Sequence, residues 1–131
     1  MSTPPATLLD RFYAAIKAAD AAALADCVHP DFLLHWQGST AIPWAGDWRG
    51  TDGLLRFFAI LNQHVEVLDV QRLHTLQDEA TTMVLLQGHW RLRASGKEIK
   101  ALAANVFTFE AERVRSYTVL NHTQAFADAL R

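Results

Sequence analysis

A chain of 131 residues that is 50% hydrophobic carries enough apolar material for one folded domain over 1–131 without disulfide staples. Its formal charge of -2 and its mixed acids and bases exclude a nucleic-acid footprint and an acidic or disordered tail. No apolar run approaches the roughly 18 residues of a membrane span, the start lacks a secretion signal, and the single cysteine fits a reducing, cytoplasmic setting.

In chain order, Thr3-Pro4-Pro5 reads as a helix start, with proline where its missing N–H costs nothing. Leu8, Leu9, Phe12, Ile16 and Ala19 follow at helical spacing, and Tyr13 lies beside Phe12 but off that stripe. Lys17 to Asp20 closes this helix, and Asp20 can cap a second one, AAALADCV. Cys27 falls on its apolar side and reads as a buried, inert thiol. His29-Pro30-Asp31 ends it, because a residue before proline avoids the α region.

Phe32 to Trp36 reads as a strand, and His35 follows Leu34 on it with its facing open. In the loop QGSTAIPWAGDWRG, Trp44 and Trp48 join Trp36 within a short span. Thr51-Asp52-Gly53 opens a third helix whose Leu54, Phe57, Phe58 and Leu61 form its apolar side. From Val65 the period changes to that of strands. A two-residue turn at Asp78-Glu79 would set Asp69 beside Gly88 and make it a buried-carboxylate candidate. Thr123 can cap a last helix, QAFADAL.

The last two hairpins organise the candidate site. A two-residue turn at Ser95-Gly96 pairs Trp90 with Ala101, Gly88 with Ala103 and Leu86 with Asn105. A second at Ala111-Glu112 pairs Phe109 with Val114, and an unbroken ladder then sets Asn105 against Thr118 and Ala101 against His122. On this register one face carries Trp90, His122, Asn105, Phe107 and Leu120, with only Gly88, Ala101 and Ala103 between them. Such a face predicts a cavity. The other face, with Met83, Leu85, Val106, Tyr117 and Val119, is too apolar to be left in water, and it predicts a homodimer interface rimmed by Arg91 and Arg93. The fold class is α+β, a cone-shaped curved antiparallel sheet with helices on its concave face.

Three segments carry a family resemblance: LLDRFYAAIKAADAAALADCVHPDFLLHW, PWAGDWRGTDGLLRFF and NVFTFEAERVRSYTVLNHTQAFADAL. They resemble the nuclear transport factor 2-like superfamily, and within it the SnoaL-like group related to polyketide cyclases and ketosteroid isomerases. The resemblance covers nearly the whole chain and implies a cone with a buried pocket and often a sheet-to-sheet homodimer. In ketosteroid isomerases a tyrosine on the first helix and a late-strand aspartic acid hold an enolate while a first-strand aspartate moves the proton. The matching positions here are Phe12, Asn105 and Trp36. A SnoaL-like histidine and aspartate match Asn105 and His122, so both patterns are broken.

The expected function is a SnoaL-like pocket protein acting, without a cofactor, as an isomerase, cyclase or hydrolase on a small hydrophobic carbonyl or hydroxylated compound. His122 is the expected acid/base, its unperturbed pKa of about 6.5 suiting it to both roles. Asn105 would orient or polarise the substrate oxygen, and His35 is the further catalytic candidate. The expected ligand lining is Phe12, Ile16, Trp36, Trp48, Phe58, Leu86, Trp90, Phe107 and Leu120. The alternatives are a binding protein that lost the acid/base set and a dimerising module. The six histidines show no HxxxH or HxH spacing and there is no cysteine pair, so no metal is expected.

Overall fold

The structure, a computed structural model, describes residues 5–131. Thr3 and Pro4, two of the three residues of the expected helix start, lie outside the described residues. The helices are α1 (Pro5–Ala18), α2 (Ala21–Cys27), α3 (Gly50–His64) and α4 (Thr123–Ala129). The strands are β1 (Val28–Trp36), β2 (Gly46–Arg49), β3 (Val65–Gln77), β4 (Thr81–Leu92), β5 (Glu98–Glu110) and β6 (Arg113–Leu120). They form one open six-stranded sheet in the order β2-β1-β6-β5-β4-β3.

The helices form where the pattern predicts them. Leu8, Leu9, Phe12 and Ala15 bury one side of α1, and Ala19, at φ 52, ends it in the left-handed region. Asp20 Oδ1 accepts from the Ala23 backbone N–H at 3.1 Å, the expected cap of α2. α3 buries Leu54 and Phe57 and starts at Gly50, just before the expected Thr51. Gly53 is needed there for packing, since a Cβ would sit 2.9 Å from the Trp48 carbonyl carbon. The apolar faces of α1, α3 and α4 all meet the same side of the sheet. The architecture is α+β, as expected.

Several expectations need correction. The sheet is mixed: β1 pairs with β6 in parallel, and the other pairings are antiparallel. β1 begins at Val28 rather than Phe32, with a register irregularity before Leu33 that accommodates Pro30. Part of the expected tryptophan-rich loop is the strand β2. The Ser95-Gly96 turn is longer than two residues, closing with Leu92 N–H on the Lys97 carbonyl at 2.8 Å. The β4–β5 ladder therefore slips by two, giving Trp90↔Ile99, Gly88↔Ala101 and Val84↔Asn105. A slip of two leaves every side chain on its expected face. The turn after β3 is longer than the expected Asp78-Glu79 pair, with Gln77 opposite Thr82, and with the bulge between Arg72 and His74 it sets Val70 rather than Asp69 beside Gly88; Asp69 is exposed.

The decisive correction lies in β6. Its turn at Ala111-Glu112 is the expected two-residue loop, with both residues at positive φ and Phe109 opposite Val114. The next pair is Thr108↔Ser116, so Arg115 is an extra, bulged residue. Its guanidinium is tied to the Asp31 carbonyl and, at 3.2 Å, to Glu110. One inserted residue exchanges the faces of everything beyond it. Asn105 stands opposite Val119, not Thr118, and Ala104 opposite Leu120. Tyr117 and Val119 are buried inside the cone, while Leu120 is 43% exposed on the outside.

Candidate functional site

Two clusters occupy the concave side. The first is set by α1 and β5. Phe12 is fully buried, with its ring edge-on to Phe107 at 5.9 Å and to Tyr117 at 5.5 Å. Contacts of this kind are worth about 0.5–1.5 kcal/mol each beyond area burial. Tyr13, one position on, is rotated about 100° around the helix and its hydroxyl reaches β5. There Asn105 Nδ2 donates to Tyr13 Oη at 2.8 Å. The Arg72 guanidinium lies 5.0 Å from the Tyr13 ring centroid and donates to Asp10 Oδ1 at 2.9 Å.

This arrangement fixes the protonation state of the phenol. Burial pushes the Tyr13 hydroxyl up to about 12, against the opposing pull of the Asn105 hydrogen bond and of Arg72. Burial pushes Tyr117 up as well. Tyr13 is therefore neutral near pH 7, and because it accepts from Asn105 its own O–H proton is free to donate elsewhere. A neutral phenol polarised by an amide N–H is a donor for a carbonyl or developing oxyanion.

The second cluster is aromatic. Phe126 of α4 has Trp90, Trp36 and Trp44 around it at 5.4, 5.6 and 5.8 Å, all edge-to-face. The Trp90 indole folds back over Gly88, where an added Cβ would lie 1.9 Å from it. The space expected over Gly88 is thus taken by the tryptophan's own ring. Of the expected lining, Phe12, Trp36, Leu86 and Phe107 are core residues, and Ile16, Phe58, Trp48 and Trp90 pack partly buried against that core. Trp48 Nε1 donates to the Trp44 carbonyl at 3.0 Å.

His122 and His35 lie elsewhere. The exposed His122 precedes α4 and caps it, its Nδ1 accepting from the Ala125 N–H at 3.0 Å. Thr123, the expected cap, is the first helical residue. His122 is not opposite Ala101. With Leu85, Leu102, Ala104 and Leu120 it borders an open depression of about 360 Å³ on the outer face. The geometric ground for its acid/base role is thereby removed. His35, on β1, has Nδ1 2.6 Å from Asp47 Oδ1 and Nε2 2.8 Å from Gln37 Oε1. The hydrogen bonds to Gln37 and Asp47 raise its pKa, stabilising an imidazolium held in a surface network. Cys27 is buried, and desolvation pushes its thiol up. Among the described residues, no three His, Cys, Asp or Glu side chains gather as a metal site.

The sequence placed Asn105 on the concave face, showed Tyr13 only as lying off the α1 stripe and Trp44 only as one of the clustered tryptophans, and gave no sign of Arg72 or Phe126. Tyr13 was readable as the hydroxyl of α1 adjoining its apolar stripe. Arg72 was not, because the β3 bulges determine its facing.

The SnoaL-like domain profile matches residues 9–117. No curated protein sequence matches the chain. Solved structures share its fold at low identity. An NTF2-like protein from Burkholderia xenovorans LB400 is 19% identical with a TM-score of 0.88, over 96% of this chain and 95% of that one. TerC, co-crystallised with polyporic acid, is 14% identical with a TM-score of 0.81, over 98% of each chain. A Catenulispora acidiphila protein with a ketosteroid isomerase-like fold, in complex with trimethylamine, is 14% identical with a TM-score of 0.72 over 89% and 85%. With a profile spanning α1 to β6 and a cone that superposes on these structures, the chain belongs to the SnoaL-like domain family.

Proposed function

We propose that the chain, acting as one domain over 1–131, binds a small hydrophobic carbonyl or hydroxylated compound in its cone. Tyr13 and Asn105 hold the ligand oxygen. The observation that carries this reading is the 2.8 Å hydrogen bond from Asn105 to Tyr13, which leaves the phenol proton as a donor. Tyr13 would then do what the first-helix tyrosine of the ketosteroid isomerases does, one residue later than Phe12. The small molecules held by TerC and the Catenulispora protein support a ligand of modest size. Trp36 stands where the isomerases keep their base, so binding and polarisation are favoured over proton transfer.

The test is titration with a fluorescent naphthol, whose oxygen imitates an enolate. Tyr13→Phe and Asn105→Leu should each weaken binding by about ten-fold or more, the scale of one buried hydrogen bond. His122→Ala should leave affinity unchanged; a loss there instead would restore His122 and sink this reading. The alkaline limb gives a second check. Tyr13 has its ordinary value of 10.0 when unfolded and about 12 when folded, so the stability it contributes is complete below pH 10 and lost as pH rises towards 12. Tyr13→Phe should flatten that loss, leaving only the share of Tyr117, which has the same sign. A denaturant midpoint as steep above pH 10 in the variant would contradict the assignment.

The same reading includes a homodimer through the outer sheet face. Leu76, Met83, Leu102 and Leu120 are 66%, 39%, 56% and 43% exposed there, with Arg91 near the edge. Tyr117 and Val119, expected in this patch, are inside. Leu102→Glu should shift sedimentation from dimer to monomer, and a wild-type monomer at high micromolar concentration would rule the interface out. The lone buried cysteine supports a cytoplasmic setting.

A further inference from the structure

β3 sets Arg72 on the face that carries Asn105. Arg72 stands opposite the buried Leu86 of β4, and directly opposed residues share a face. From there its guanidinium reaches α1, where Asp10 and Tyr13 lie one turn apart. Asp10 Oδ1 accepts from one nitrogen, Nη1, at 2.9 Å. Nε and Nη2 have no acceptor among the described residues. Both members of this ion pair are exposed, and such a pair adds little stability. The fold therefore does not explain why a cation stands here.

The charge of Arg72 acts on the phenol. Its guanidinium carbon lies 5.0 Å from the Tyr13 ring centroid, and it pulls against the burial that raises the Tyr13 hydroxyl. The strand beside it is apolar and uncovered. Val70, two residues before Arg72 and so about 7 Å away on the same face, is 42% exposed. Val67, opposite Trp90, is 51% exposed. The concave rim of β3 thus offers two bare valines and a cation with unused donors.

We propose that the compound held by Tyr13 and Asn105 is an acid. It is an oxo- or hydroxy-carboxylic acid whose carboxylate takes the unused nitrogens of Arg72 and whose apolar body covers Val67 and Val70. This inference rests on the Tyr13–Asn105 reading and names the substrate class of that site. Arg72 is the specificity residue, because a guanidinium fork can bind a carboxylate through two parallel hydrogen bonds. Asp10 steadies Arg72 over the ring but competes for the same charge.

The test compares 4-hydroxybenzoate with 4-hydroxybenzamide, which share shape and phenol and differ in charge. Both are titrated calorimetrically into the full chain at pH 7 and low salt. The acid should bind about ten-fold more tightly, the scale of a charge-assisted hydrogen bond, and added salt should shrink that advantage. Arg72→Gln should remove the advantage while leaving amide affinity and the urea midpoint unchanged. Asp10→Asn should widen it, because the competing carboxylate is gone. Equal losses for both probes in Arg72→Gln would mean that Arg72 only positions the Tyr13 ring, and would overturn the proposal. So would equal binding of acid and amide by the wild-type chain, or no binding of either at millimolar concentration. The naphthol titration separates this failure from that of the site itself. Naphthol affinity that falls in Tyr13→Phe while the acid gains nothing over the amide leaves the first reading standing and sinks this one. Naphthol affinity unmoved in Tyr13→Phe sinks both.

Discussion

Inserting one alanine after Arg115 should leave no folded protein, whereas Arg115→Ala should cost about 1 kcal/mol or less, the range of a half-exposed ion pair and its hydrogen bonds. The substitution keeps the single extra residue of the bulge, and the insertion makes it two. With one residue too many the ladder beyond Phe109↔Val114 falls out of step, and Tyr117 and Val119 turn to the outside. Tyr117, stacked on Phe107 at 4.8 Å, would be replaced in the core by Ser116 or Thr118. Burying two hydroxyls without partners while exposing a tyrosine and a valine amounts to several kcal/mol, comparable with a domain's whole stability of about 5–15 kcal/mol. Circular dichroism and a urea melt of both variants decide it. A cooperative transition in the insertion variant would mean that the bulge does not govern the facing of β6.

Gly88→Ala is expected to destabilise the fold by about 1–3 kcal/mol, the range of overpacking by one methyl group. The added Cβ would lie 1.9 Å from the Trp90 indole, which must then leave its place over the strand. It cannot turn freely, because Phe126 of α4 packs against it at 5.4 Å. Tryptophan emission should shift to the red as an indole moves into water. The discriminating measurement is a double-mutant cycle. With Trp90→Ala already present, Gly88→Ala should cost almost nothing, since the atoms it strikes are gone. Additive losses in the urea midpoint would place the strain in the backbone of β4 instead.

Much of this protein was written locally. The stripe of α1, the Asp20 cap, the helix stop before Pro30 and the two-residue turn at Ala111-Glu112 depend on neighbours a few residues apart. The family segments were legible for the same reason, and the slip between β4 and β5 did no harm because a shift of two preserves facing. Asn105 was therefore correctly placed on the concave side.

What remained was decided at distances the pattern cannot see. Arg115 looks in sequence like any other polar residue of an alternating strand. Only its bond to the Asp31 carbonyl, from a strand lying parallel to β6, makes it a bulge and carries His122 out of the cone. The small residues Gly88, Ala101 and Ala103 read as empty space, because composition cannot show that Trp90 folds back over its own strand and Phe126 arrives from α4. Tyr13 and Asn105 are 92 positions apart, and their meeting depends on how α1 crosses β5. Alternation fixes the face a residue occupies only until one residue is inserted. After that, the packing of the opposite face chooses, because it alone bears the cost of burying the wrong side chains.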